Sequence, residues 1–201
     1  MYRTAAALAF AVAAFAPVAS AQVADSDPGK VQAGTYTLET NHARVLFAVS
    51  HMGFSTWYGD FTGATGTLKL DPKNPASAAL SVTIPVASVS TTNAKLDDEL
   101  KSADWFDAAK FPTISFTTTK VTATSPTTAR VTGALTFHGV TKPVDLEATY
   151  KASGANPMSK AFTIGFEVKG MLKRSDFGVT KYVPLIGDDV TLIISAPFEK
   201  K

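Results

Sequence analysis

Reactive side chains are few in this chain, and they are scattered. Its three histidines, His42, His51 and His138, stand in the turn-like contexts ETNHAR, SHMGF and TFHGVT. No two are spaced i, i+2 or i, i+4, so a zinc or iron site built from them would depend wholly on the fold. The other reading is that each histidine pins its own turn by hydrogen bonding. Nucleophilic catalysis has less to work with: there is no cysteine, no Gly-x-Ser-x-Gly elbow and no supported Ser–His pairing. Carboxylates crowd one stretch, DDELKSADWFDAAKFPTISF, where Asp97, Asp98, Glu99, Asp104 and Asp107 lie close together. Acidic residues near the start of a helix suit its dipole. No catalytic constellation emerges, and the expectation is a binding protein with no metal rather than an enzyme.

The elements around these residues are strands. ALSVTIPVASV puts Leu80, Val82, Ile84 and Val86 on one face and Ser81 and Thr83 on the other. The same period of two aligns Val131, Leu135 and Phe137; Val144, Leu146 and Tyr150; Phe162, Ile164, Phe166 and Val168; and Val190, Leu192 and Ile194. With TYTL, RVLFAVS, GDFTGATGTLKL and ISFTTTKV the count reaches about nine runs, separated by turn signals such as His138-Gly139. Short connections favour antiparallel pairing of consecutive strands. One apolar face per strand describes a sheet wrapped around an interior, and closure removes its edges. An up-and-down barrel of about eight strands is expected, with a two-sheet sandwich as the alternative. A barrel of that size either fills its interior or holds one ligand. Small residues at the inward positions Gly133, Ala148 and Ala129 lean towards room.

Composition narrows the remaining classes. MYRTAAALAFAVAAFAPVASAQ reads as a cleavable signal: Arg3, an apolar run from about Ala5 to Ala16, then Ala19-Ser20-Ala21. The expected organisation is a signal peptide over residues 1–21, a flexible leader over 22–33 and one domain over 34–201, located in the periplasm. Absence of cysteine excludes disulfides, thiolate metal sites, covalent c-type haem and a lipidated N-terminal Cys. Formal net charge is +2. With no Lys/Arg block, nucleic acid is not an expected partner.

Four motifs in this order carry a family resemblance: GTYTLETNHARVLFAVSHMGFSTWYGDFTG, ELKSADWFDAAKFPTISF, VTGALTFHGVTKPVDLEA and LKRSDFGVTKYVPLIGDDVTLII. From Gly34 to about Phe198 the chain resembles the YceI-like family of periplasmic polyisoprenoid-binding proteins. Asn41 stands where the family usually has Ala, and Trp105 replaces the common Phe of an Ala-Asp-Phe-Phe step. The resemblance implies an all-β, lipocalin-like antiparallel barrel with an elongated apolar cavity, to which the residue pattern adds one short helical insertion near residues 94–108. It implies an isoprenoid cargo, a ubiquinone-type quinone or a polyprenyl phosphate, and in some members a fatty acid or its amide. A cytochrome b561-like membrane protein is the implied partner, with transient membrane contact; a homodimer stays open. No cofactor is expected beyond the bound lipid. The alternative is a stress-related protein that binds a fatty acid, an amide or a metal through its histidines.

Strand phase nominates the cavity wall: Leu80, Val82, Ile84, Val86, Phe116, Val131, Leu135, Phe137, Leu146, Phe162, Ile164, Phe166, Leu192 and Ile194, joined by Trp105, Phe106 and Phe111 from the insertion. Head-group candidates are His42, Arg44, His51, Arg174 and Asp176, each of which can instead pin a loop. Leu96, Leu100 and Ala103 share the spacing of one helical face, so the insertion is expected to lie across a barrel end as a lid, with Trp105 and Phe106 as its anchor.

Overall fold

The computed structural model describes residues 23–201; the expected signal peptide, 1–21, lies outside the described residues. Eleven strands pair antiparallel throughout: β1 Gly34–Leu38, β2 Arg44–His51, β3 Ser55–Phe61, β4 Thr65–Leu70, β5 Ala79–Pro85, β6 Val89–Ser90, β7 Thr113–Ala123, β8 Thr128–Phe137, β9 Val140–Ala155, β10 Phe162–Lys173 and β11 Ile186–Lys200. The sequence β1-β4-β5-β7-β8-β9-β10-β11 closes through the pairing of β1 with β11 into an eight-stranded barrel. The expected barrel is therefore present, and the sandwich is not.

One topological detail departs from simple up-and-down order. The long β11 pairs with β1 near its C-terminus, Leu38 opposite Phe198, and with β2 further back, Arg44 opposite Ser195. β1 and β2 are thus two lengths of one barrel edge, interrupted at residues 39–43. β4 and β3 repeat the arrangement beside them, since β4 pairs with β1 and β3 with β2. β5 and the two-residue β6, linked by a 3₁₀ turn at Val86–Ser88, repeat it again. Period-two patterning cannot distinguish a turn that reverses the chain from one that only kinks it. Consecutive strands were expected to pair, and at these three junctions they continue instead.

Reversals are where the turn chemistry places them. β8 and β9 join through His138-Gly139, with Phe137 opposite Val140 and positive φ at both turn residues, 50° and 75°. That is the two-residue geometry matching strand twist. His138 Nδ1 lies 3.0 Å from the Phe177 carbonyl. A carbonyl only accepts, so Nδ1 carries the proton in this contact.

The helical insertion is α1, Ala94–Lys101. Asn93 caps it by accepting from the Leu96 N–H at 3.3 Å, and the Asp97 carboxylate accepts from both the N–H and the hydroxyl of Thr91 at 2.6 Å. Leu100 is buried, but Ala103 is exposed, because the helix ends at Lys101 and Ser102 turns the chain. The following residues fold back, with the Phe106 N–H donating to the Leu100 carbonyl at 3.0 Å and Trp105 Nε1 donating to Glu99 at 3.1 Å. Residues 23–33, the described part of the flexible leader expected over 22–33, are bound to the opposite end of the barrel. Asp25 bridges to Ser153, and the Tyr150 hydroxyl donates to the Asp25 carbonyl at 2.9 Å.

Candidate functional site: an apolar cavity along the barrel

A cavity of about 410 Å³ extends from the leader end, at Pro28, Val31 and Pro126, to the helix end, at Leu100, Trp105, Phe106 and Arg174. Its wall is almost wholly apolar because every barrel strand turns one apolar phase inward. Leu80, Val82 and Ile84 of β5, Phe116 of β7, Val131, Leu135 and Phe137 of β8, Leu146 of β9, Ile164 and Phe166 of β10, and Leu192 and Ile194 of β11 all line it. Trp105 and Phe106 line its helix end.

Small residues decide where the space lies. Ala129 and Ala148 are directly paired across β8 and β9, and both face the cavity. Gly133 does the opposite. A Cβ there would sit 2.2 Å from Cζ of Phe116, so the missing side chain is occupied by that ring and adds no room.

Three nominated wall residues lie elsewhere. Val86 is fully buried in packed protein, because β5 ends at Pro85 and the 3₁₀ turn breaks the alternation that would have aimed it at the cavity. Phe111 packs outside, against Gly139 and edge-on to His138 at 4.8 Å, which fixes the β8–β9 turn. Phe162, at the first position of β10, is half-buried against the core beyond the cavity's end. Conversely, Val45, Phe47 and Val49 of β2 line the cavity and were not nominated, nor were Val168 and Val190. RVLFAVS places Val45, Phe47 and Val49 in one phase, but Leu46 and Ala48 in the other are also apolar, so its alternation is weaker than that of ALSVTIP. The contribution of Pro28 and Val31 carries no periodic signal.

The polar candidates separate sharply. His42 is exposed and paired with Glu39; Arg44 pairs with Asp60 on the outer face of β2; His51 packs at 5.8 Å against Trp57; Asp176 is exposed. None of these four lines the cavity. Arg174 does, and it is only 5% exposed. It donates Nε to the Gly187 carbonyl at 2.8 Å, Nη1 to Val179 at 3.0 Å and Nη2 to Ile186 at 2.8 Å. The guanidinium also lies 5.5 Å from the centroid of the Trp105 ring.

This buried cation has only neutral hydrogen-bond acceptors. Burial lowers its pKa, and the charge of Asp188 partly offsets that, although a guanidinium stays protonated in proteins. Asp188 is itself engaged by the Ser175 N–H at 2.9 Å and hydroxyl at 2.8 Å. Burial alone would raise the Asp188 carboxyl, but these bonds and the charges of Lys173 and Arg174 hold it below the usual value. Both terminal nitrogens of Arg174 keep spare donor capacity, so the helix end can take an anionic or carbonyl oxygen. Among the described residues no three His, Asp or Glu side chains group closely enough to hold a metal ion.

Comparisons with known proteins agree with this architecture. The family model described as a YceI-like domain matches residues 36–198. Protein YceI of Salmonella arizonae is 40% identical over 169 residues, covering 83% of this chain and 87% of that protein. The crystal structure of BcnA from Burkholderia cenocepacia is 25% identical with a TM-score of 0.72, covering 80% of this chain and 98% of that one. A polyisoprenoid binding domain from Saccharophagus degradans, implicated in plant cell wall breakdown, is 13% identical with a TM-score of 0.62 over 85% of this chain and 100% of that domain, a likeness of fold.

Proposed function

This chain belongs to the YceI-like family, and on that footing we propose that it is a periplasmic binding and carrier protein for a long-chain isoprenoid lipid, a ubiquinone-type quinone or a polyprenyl phosphate. The tail lies along the barrel, and the head group meets Arg174 beneath Trp105. One observation carries this: a lengthwise apolar cavity ending at a buried guanidinium that has no carboxylate among its hydrogen-bond partners. A quinone carbonyl or a phosphate supplies the acceptor that the site leaves open. The Saccharophagus degradans domain supports the proposal by its description, and the fold is common to both.

The energetics suit a passive carrier. Each buried CH₂ is worth about 0.8 kcal/mol relative to water, so a polyprenyl chain does not cross an aqueous compartment unaided. The same chain is already buried in a bilayer, so the cavity competes with lipid and holds its cargo by a small surplus. Release into an acceptor membrane then needs no chemical energy. In this scheme α1 and the Trp105-Phe106 step form a lid, and a cytochrome b561-like membrane protein exchanges quinone with the carrier.

A fatty acid is the competing cargo, because its carboxylate would also satisfy Arg174. Isoprenoid quinones of increasing tail length, delivered from detergent, distinguish the two against a matched fatty-acid series. Affinity is expected to rise with each prenyl unit until the cavity is full. Fatty acids binding more tightly than every quinone would replace the isoprenoid, and indifference to tail length would remove the cavity as the site.

A further inference from the structure

Large apolar side chains crowd the surface at the helix end. Phe54 is 90% exposed, Leu185 62%, Tyr182 55%, Met52 50% and Val183 38%. Met52 and Phe54 form the tip of the β2–β3 hairpin, and the others belong to the loop leading into β11. The two tips are bonded together: the Met52 N–H donates to the Leu185 carbonyl at 2.8 Å, and His51 pairs with Ile186. Positive φ at Met52, Gly53 and Tyr182, 54°, 72° and 61°, sets both turns. Tyr182 also meets Trp105 edge-on at 6.1 Å, and Trp105 lines the cavity. One aromatic pair therefore joins the surface cluster to the cavity wall.

We propose that this cluster is the surface by which the protein docks on a lipid bilayer, its apolar tips entering the interfacial region with the helix end of the cavity above them. The inference rests on the isoprenoid reading of the cavity: such a cargo resides in membranes, so a cavity end must approach one. Aromatic and aliphatic side chains on protruding turns are the composition that settles at a membrane–water interface. A second copy of the chain would compete for the same patch, which at roughly 200 Å² per large side chain offers on the order of 600 Å² of apolar surface. Nearby charge is already paired, with Lys181 donating to Asp104 at 2.8 Å. Docking is accordingly apolar and only weakly sensitive to salt or to anionic lipid.

The opposite end provides an internal control. Met158 is 87% exposed there, but its turn also carries Asn156, Ser159 and Lys160. Because the chain has no cysteine, Phe54→Cys and Met158→Cys can each carry one environment-sensitive fluorophore. With phosphatidylcholine–phosphatidylethanolamine vesicles, the label at position 54 should shift blue and brighten several-fold while the label at 158 does not change. Phe54→Ser/Leu185→Ser protein should co-sediment with the vesicles at least tenfold less, in low and in high salt, yet bind detergent-delivered quinone as before. An equal response at both positions, or none at 54, overturns the docking surface, as does a dimer in light scattering that the double variant dissociates. Quinone binding from detergent, measured without vesicles, reports separately on the cavity, so loss of one claim is distinguishable from loss of the other.

Discussion

The Arg174 guanidinium lies over the Trp105 ring, 5.5 Å from its centroid, where the helical insertion meets the end of the cavity. The cation is held by three neutral carbonyls and this indole, so in the proposed complex the indole lies beside the head group.

Trp57→Phe protein, with Trp105 as the sole tryptophan, is expected to lose most of its fluorescence as a ubiquinone analogue saturates the cavity. The loss should be saturable at one equivalent. Absence of quenching at saturation would remove Trp105 from the head-group end and with it the lid.

Arg174→Met should destabilise the fold severely. The Gly187, Val179 and Ile186 carbonyls would lose their donor at about 1–3 kcal/mol for each buried group left unsatisfied. A fall of at least about 3 kcal/mol in urea unfolding is expected. Arg174→Lys should recover only part of it, since an ammonium cannot span the same fork.

Gly133→Ala and Ala148→Leu should behave oppositely although both add volume to an inward position. The first drives a methyl into the Phe116 ring and should cost about 1–3 kcal/mol by overpacking. The second grows into open cavity and should change stability by less than about 1 kcal/mol. Thermal melts of the two variants test the placement of the space directly.

Asp188 titrates below its ordinary value in the folded protein, so its carboxylate contributes stability above the unfolded pKa, near 4, and that contribution is lost as pH falls through the lower folded value. Asp188→Asn should be less stable than the parent at pH 7, and the gap should close as the pH falls below the unfolded value and through the lower folded one. A gap that is constant with pH would mean the carboxylate charge is not what the Ser175 bonds stabilise.

Much of this site was legible because one rule, inward alternation of apolar residues, both builds a barrel and lines it. Leu80, Val82 and Ile84 follow it and lie on the wall, whereas Val86 leaves the rule one residue after Pro85 and lies in the core. Phe111 was out of reach for a different reason: its partner, Gly139, is distant in sequence, and no local pattern reports that contact. Likewise, His42, Arg44, His51 and Asp176 share the polar chemistry of Arg174. Only three-dimensional placement separates the one buried against the cavity from the four outside it. The docked leader was hidden because Tyr150 and Ser153 hold its backbone, and backbone bonds leave no imprint on the leader's own residue types.

The cavity itself is tested most directly by solvent extraction and mass spectrometry of protein purified from its native host, run beside Ala148→Phe protein that fills the paired Ala129–Ala148 space. The parent is expected to release an isoprenoid species close to one equivalent, and the filled variant little or none. Parent protein that yields no isoprenoid and takes up no added quinone, or a filled variant that carries as much as the parent, would contradict an isoprenoid held within the barrel.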